Sequence, residues 1–147
     1  QPWGAKMEQT ETWHGLLLPD GSLTAMTDAL GESWGKPVAE PAPRIRGIGI
    51  AADVFAPGQE ISAGVDAASF DGSPLRTERK VLTESVGRRP DSHHEPPPAL
   101  MQVRVLQSDA ASVRFIAPMR PGAYRLYMTL RDRNGKAASA NLPFLVR

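Results

Sequence analysis

The stretch PGAYRLYMTLRDRNGKAASANLPFLV, residues 121–146, decides the fold. Tyr124, Leu126, Met128 and Leu130 alternate with Arg125, Tyr127, Thr129 and Arg131, the period of two expected of a strand with one face in a core. Arg133-Asn134-Gly135 has the composition of a tight hairpin turn, and KAASANLPFLV returns as the partner strand. Pro143 removes one ladder donor from that returning strand, which predicts an edge position or a change of sheet.

The same period recurs toward the N-terminus. RIRGIGI (44–50) alternates Ile45, Gly47 and Gly49 against Arg46, Ile48 and Ile50, and EISAGVDA (60–67) sets Ile61, Ala63, Val65 and Ala67 on one face. LRTERKVLT (75–83), MQVRVLQ (101–107) and SVRFIAP (112–118) read as further strands, divided by turns such as Pro57-Gly58 and Asp71-Gly72-Ser73-Pro74. About seven short strands with turn signals every 8 to 12 residues predict a mainly β chain, an immunoglobulin- or fibronectin-like β-sandwich over 44–147. Tyr124, two residues after Gly122 at the start of the penultimate strand, stands where such sandwiches carry a tyrosine corner. There is no cysteine, so no disulfide pins the sheets. The region 84–99, ESVGRRPDSHHEPPPA, has no period and reads as a long loop.

Ahead of the sandwich, PVAEPAP (37–43) reads as a proline-rich linker. Before it, TWHGLLLPDGSLTAMTDALGESW (12–34) predicts a strand, a turn at Pro19-Asp20-Gly21, and an amphipathic helix capped by Asp20 or Ser22. Leu23, Met26, Thr27, Leu30 and Trp34 fall on one stripe at helical spacing, which assigns Trp34 to a core, and Gly35 and Pro37 end the helix. Residues 1–36 are therefore expected to form a strand–helix segment distinct from the sandwich.

Composition narrows the functional classes. A hydrophobic content of 41% supports a core, whereas 13 glycines and 14 prolines favour many turns and short elements. Seventeen Lys and Arg against sixteen Asp and Glu give a net charge of +1, which supplies no field for nucleic acid. The arginines, among them Arg76, Arg79, Arg125 and Arg131, are scattered and expected on solvated outward faces. No apolar run approaches the roughly 20 residues of a membrane span. His93-His94-Glu95 has metal-ligand residue types, but adjacent histidines rarely converge on one ion and no third close ligand exists. Glu8 and Glu11 point to opposite faces of an extended chain and make no acid/base pair. With no phosphate loop, nucleophile elbow or HExxH motif, neither a cofactor nor a metal nor a catalytic residue is expected.

Three pieces taken together, TWHGLLLPDGSLTAMTDALGESW, EPAPRI and the closing PGAYRLYMTLRDRNGKAASANLPFLV, carry a resemblance. They resemble the C-terminal end of bacterial glycoside-hydrolase-like proteins, in which the last strand and helix of a TIM barrel precede a β-sandwich accessory domain. The resemblance implies that residues 1–36 are the eighth unit of a barrel, that Trp13 floors a sugar subsite at the barrel mouth, and that His14 lines the same mouth. The carboxylates of such barrels sit on strands outside this chain, so the implied role is a non-catalytic accessory portion of a carbohydrate-active protein. Its partner would be the remainder of a TIM-barrel domain, in the same polypeptide or a separate chain, with a periplasmic or secreted location. The chain opens on Gln1 and not on Met, so it is expected to be a processed product, an excised stretch or a piece of something longer. Two other roles fit the residues: a carbohydrate-binding module engaging polysaccharide through an exposed Tyr127, and a protein-interaction or adhesion domain using loop 84–99 with its Arg88, Arg89, His93 and His94.

Overall fold

A computed structural model describes residues 16–84 and 98–147. In chain order these residues form α1 (Ala25–Ser33), β1 (Arg44–Ile50), β2 (Val54–Phe55), β3 (Glu60–Ala68), β4 (Arg76–Thr83), β5 (Leu100–Met101), β6 (Val105–Ser108), β7 (Ser112–Ile116), β8 (Gly122–Arg131) and β9 (Ala137–Val146). Two sheets result, ordered β1-β3-β7-β6 and β2-β9-β8-β4-β5. The two-residue β2 pairs parallel with the end of β9, and the other strand pairs are antiparallel. The chain is an immunoglobulin-like β-sandwich.

The alternation in β8 sets its core. Tyr124, Leu126, Met128 and Leu130 are all buried and meet Ile61, Ala63 and Val65 of β3 and Val113 and Phe115 of β7 from the facing sheet. Phe144 of β9 is the hub of the aromatic packing, edge-on to Phe55 and Phe115 with ring centroids 6.1 Å away in each case, and stacked on Tyr124 at 5.7 Å. The Tyr124 hydroxyl donates to the Arg120 carbonyl at 2.7 Å, the tyrosine corner expected from its position. Tyr124→Phe leaves that carbonyl without its donor, and a loss of about 1 kcal/mol in urea unfolding is expected.

Three local features depart from strict alternation. In β1 a register shift between Ile45 and Gly47 leaves Arg46 as an extra residue opposite β3. The phase changes there, so Ile45, Ile48 and Ile50 all pack against the core, although a strict period of two separates the first from the others. The stretch expected as one strand at 101–107 is two. β5 ends the five-stranded sheet beside β4, and β6 ends the four-stranded sheet beside β7, where a second register shift makes Leu106 the extra residue. Met101 and Val103 keep packing against the core across this change of sheet, which is why the sequence period runs through it unbroken. Pro143 lies where β9 has β8 on one side, because β2 reaches only Leu145 and Val146 on the other. The loop expected at 84–99 falls almost entirely outside the described residues.

Arg79 corrects the expectation of a solvated arginine. Its guanidinium donates to the Ser108 hydroxyl at 3.0 Å and the Ala110 carbonyl at 3.2 Å, tying β4 to the β6–β7 turn of the opposite sheet, and Nε is buried without a partner. Burial lowers its pKa, against a smaller opposing pull from Asp109.

Candidate functional site

The N-terminal segment is stitched to the β8–β9 end of the sandwich. Leu18 and Ser22 close a tight turn, with the Leu18 amide donating to the Ser22 carbonyl at 3.0 Å. Leu23 then adds beside the start of β9: its amide donates to the Gly135 carbonyl at 3.2 Å, and its carbonyl accepts from the Ala137 amide at 2.7 Å. From α1, Asp28 accepts from Lys136 Nζ at 2.6 Å through one carboxylate oxygen and from the Ala42 amide at 2.7 Å through the other. The two side chains of this ion pair are 13% and 14% exposed, so the charges neutralise each other largely out of water.

The capping expectation is corrected by the same turn. The residue at the helix N-cap is Thr24, whose hydroxyl donates to the Leu16 carbonyl at 3.1 Å rather than accepting from the helix. Asp20 is drawn away from capping because it accepts the Ser22 amide at 3.0 Å and pairs with Arg131 of β8 at 2.7 Å. Arg131 also donates to Glu78 of β4 at 3.0 Å, and Glu78 in turn pairs with Lys80 at 3.1 Å. The result is a chain of four charges across the outer face of the five-stranded sheet, beneath the turn.

The pKa of Asp20 is lowered to about 2, chiefly by the Ser22 amide, against an opposing effect of burial, with further help from the Ser22 hydroxyl and Arg131. The Glu78 pKa is lowered as well, first by its hydrogen bond to Lys80, against burial, and then by the charges of Lys80 and Arg131. Because the folded Asp20 titrates below the ordinary 3.8, its contribution is present above that value and is lost as pH falls toward about 2. The difference in urea midpoint between the parent and Asp20→Asn is accordingly expected to be constant from about pH 5 upward and to vanish in strong acid.

The apolar stripe of α1 is exposed instead of buried. Trp34, expected in a core, is 70% exposed; Met26 and Leu23 are 46% and 37% exposed, and no residue of α1 is buried. Thr27 and Leu30 of the same stripe are half-buried, and the segment reaches the sandwich through backbone bonds and ion pairs. Leu16 and Leu17, 42% and 51% exposed, extend the apolar surface. Tyr127, expected as an exposed sugar platform, is 7% exposed: β8 lies between β4 and β9, and Lys80 and Asn141 flank the ring in register. Its ring therefore offers no open face for stacking. Trp13 and His14 lie outside the described residues, as do Glu8, Glu11, His93, His94 and Glu95.

Neither the Asp28–Lys136 pair nor the Asp20–Arg131 pair has a local sequence signal, because each joins residues more than a hundred positions apart. Among the described residues no group of three or more His, Cys, Asp or Glu could hold a metal ion, and no helix is long and apolar enough to cross a membrane.

No protein-family model matches the chain, and no curated protein matches it. Among solved structures it is similar to PcoC, a methionine-rich copper resistance protein from Escherichia coli, at 18% identity and a TM-score of 0.43, covering 72% of this chain and 99% of that one. It is also similar to the Lin-41 filamin domain, at 13% identity and a TM-score of 0.41 over 72% of this chain and 97% of that one. Murine CRIg is similar at 9% identity and a TM-score of 0.41, over 71% of this chain and 96% of that one. At these identities the likeness does not extend to a ligand or partner.

Proposed function

We propose that this chain is the non-catalytic C-terminal accessory portion of a carbohydrate-active, glycoside-hydrolase-like protein, and that its N-terminal segment is a two-sided adaptor. One side is fixed to the sandwich, and the other presents an apolar face to a neighbouring barrel domain. The observation that carries the reading is this division of the segment: Asp20 and Asp28 are spent on the sandwich while Leu16, Leu17, Met26 and Trp34 are exposed. Leaving a large apolar side chain exposed forgoes about 1.5 to 3 kcal/mol relative to burial, and four on one short segment are well served by a covering surface.

The resemblance in TWHGLLLPDGSLTAMTDALGESW and in the closing sandwich pattern supplies the identity of that surface, a TIM barrel, and with it a periplasmic or secreted location. Clamped as it is by Asp28 and Asp20, the adaptor holds the sandwich at a fixed angle to the barrel. The test is an immunoblot of source cells with an antibody against the sandwich. A polypeptide larger than this chain by at least the roughly 250 residues of a barrel is expected. A species of 15.9 kDa that co-purifies with no barrel protein would overturn the reading.

A further inference from the structure

Beside the charge chain lies a cavity of about 390 Å³, roofed by Leu18, Pro19 and Asp20 and floored by β4 and β8. Arg76, Glu78 and Lys80 occupy alternate positions of β4 and so share its outward face, and Thr129 and Arg131 of β8 complete the floor. Arg76 and Arg131 stand directly opposite each other in the β4–β8 register, a placement of like charges that is unfavourable unless something neutralises both. Arg131 is neutralised twice, by Asp20 and by Glu78. Among the described residues Arg76 has no hydrogen-bond or ion-pair partner, although it lines the same cavity. Both carboxylates of the cavity are already engaged, Asp20 with Arg131 and Glu78 with Arg131 and Lys80, so neither is left to pair with Arg76.

We propose that this cavity binds a carboxylate-bearing monosaccharide, a uronate, with the Arg76 guanidinium as partner of the carboxylate. A guanidinium with no partner calls for an anionic group, and the planar fork of an arginine matches a carboxylate in bidentate geometry. The other walls suit a sugar ring. Asp20 and Glu78 keep acceptor lone pairs for ring hydroxyls beyond those they give to Arg131, the Thr129 side chain lies on the floor, and Leu18 and Pro19 make an apolar wall for the C–H face. The volume lies near the small end of the range that ligand pockets span, which fits one ring rather than a buried oligosaccharide. Carboxylate recognition follows from the charges alone; the saccharide part rests on the carbohydrate-active reading above.

The test is calorimetric titration of the whole chain with galacturonate and glucuronate, with glucose and succinate as comparisons, repeated with Arg76→Ala and Arg76→Lys. The expected result is that a uronate binds, that glucose does not at the same concentration, that Arg76→Ala weakens binding at least tenfold, and that Arg76→Lys restores part of it. Absence of uronate binding, or equal binding by Arg76→Ala, would overturn the site. Succinate binding as tightly as the uronates would overturn its assignment to a sugar. Arg76 is exposed and has no partner among the described residues, so these variants keep the fold, which an unchanged urea midpoint verifies. The accessory-domain reading fails or stands separately, on the size and company of the polypeptide in cells.

Discussion

Asp28→Ala is expected to destabilise the attachment of the N-terminal segment by about 3 to 5 kcal/mol, the cost of breaking a largely buried ion pair from one side. The substitution leaves the Lys136 ammonium, at 13% exposure, without its partner, and removes the acceptor of the Ala42 amide, a residue only 3% exposed. The loss is local, because the bonds lost join α1 to Lys136 of the β8–β9 turn and to Ala42 ahead of β1, and lie outside the core between the sheets. Hydrogen exchange checks it: the Leu23 and Ala137 amides, which close the seam, lose protection, while those of Leu126 and Met128 in central β8 keep theirs. Pairing the change with Lys136→Met removes the stranded charge, and the double variant is expected to recover much of the loss. Retained protection at Leu23 in Asp28→Ala would show that the backbone bonds alone hold the segment.

Phe144→Ala is expected to cost about 3 to 5 kcal/mol of global stability, read as a lower urea midpoint with an unchanged slope. The ring touches Phe55 from β2, Phe115 from the opposite sheet and Tyr124 from its own, so a single truncation opens a void at the meeting point of three aromatic contacts. No disulfide spans the sheets to limit the damage, since the chain contains no cysteine. Phe144→Leu fills most of the volume and is expected to recover over half of the loss. An Ala variant as stable as the parent would mean that the neighbouring rings collapse into the space.

The sandwich was legible because its strands obey one local rule. Tyr124, Leu126, Met128 and Leu130 announce both the strand and its inward face, and the hairpin at Arg133-Asn134-Gly135 fixes their partner. The rule fails where a residue is added: nothing in RIRGIGI says that Arg46 is bulged and that Ile45 joins Ile48 and Ile50. The helix stripe failed differently. Periodicity says which residues share a face and is silent on whether that face is covered, so it places Trp34 in a core that the sandwich does not provide. Asp20 shows a third limit, since the turn chemistry that marks it as a cap serves equally for a carboxylate that reaches Arg131 across the fold.

The two interruptions in strand register also bear on how copies of the molecule coexist at high concentration. Both fall on the rims of the four-stranded sheet, at Arg46 in β1 and at Leu106 in β6. A rim strand is an open template for the next molecule, and β6, with Val105 and Leu106 at 53% and 40% exposure, is apolar enough to invite growth into a fibre. A strand with one residue too many cannot offer an incoming chain an unbroken row of donors and acceptors. The irregularity in β6 thus works as a terminator, and it is the feature to preserve in any attempt to straighten or stabilise this edge.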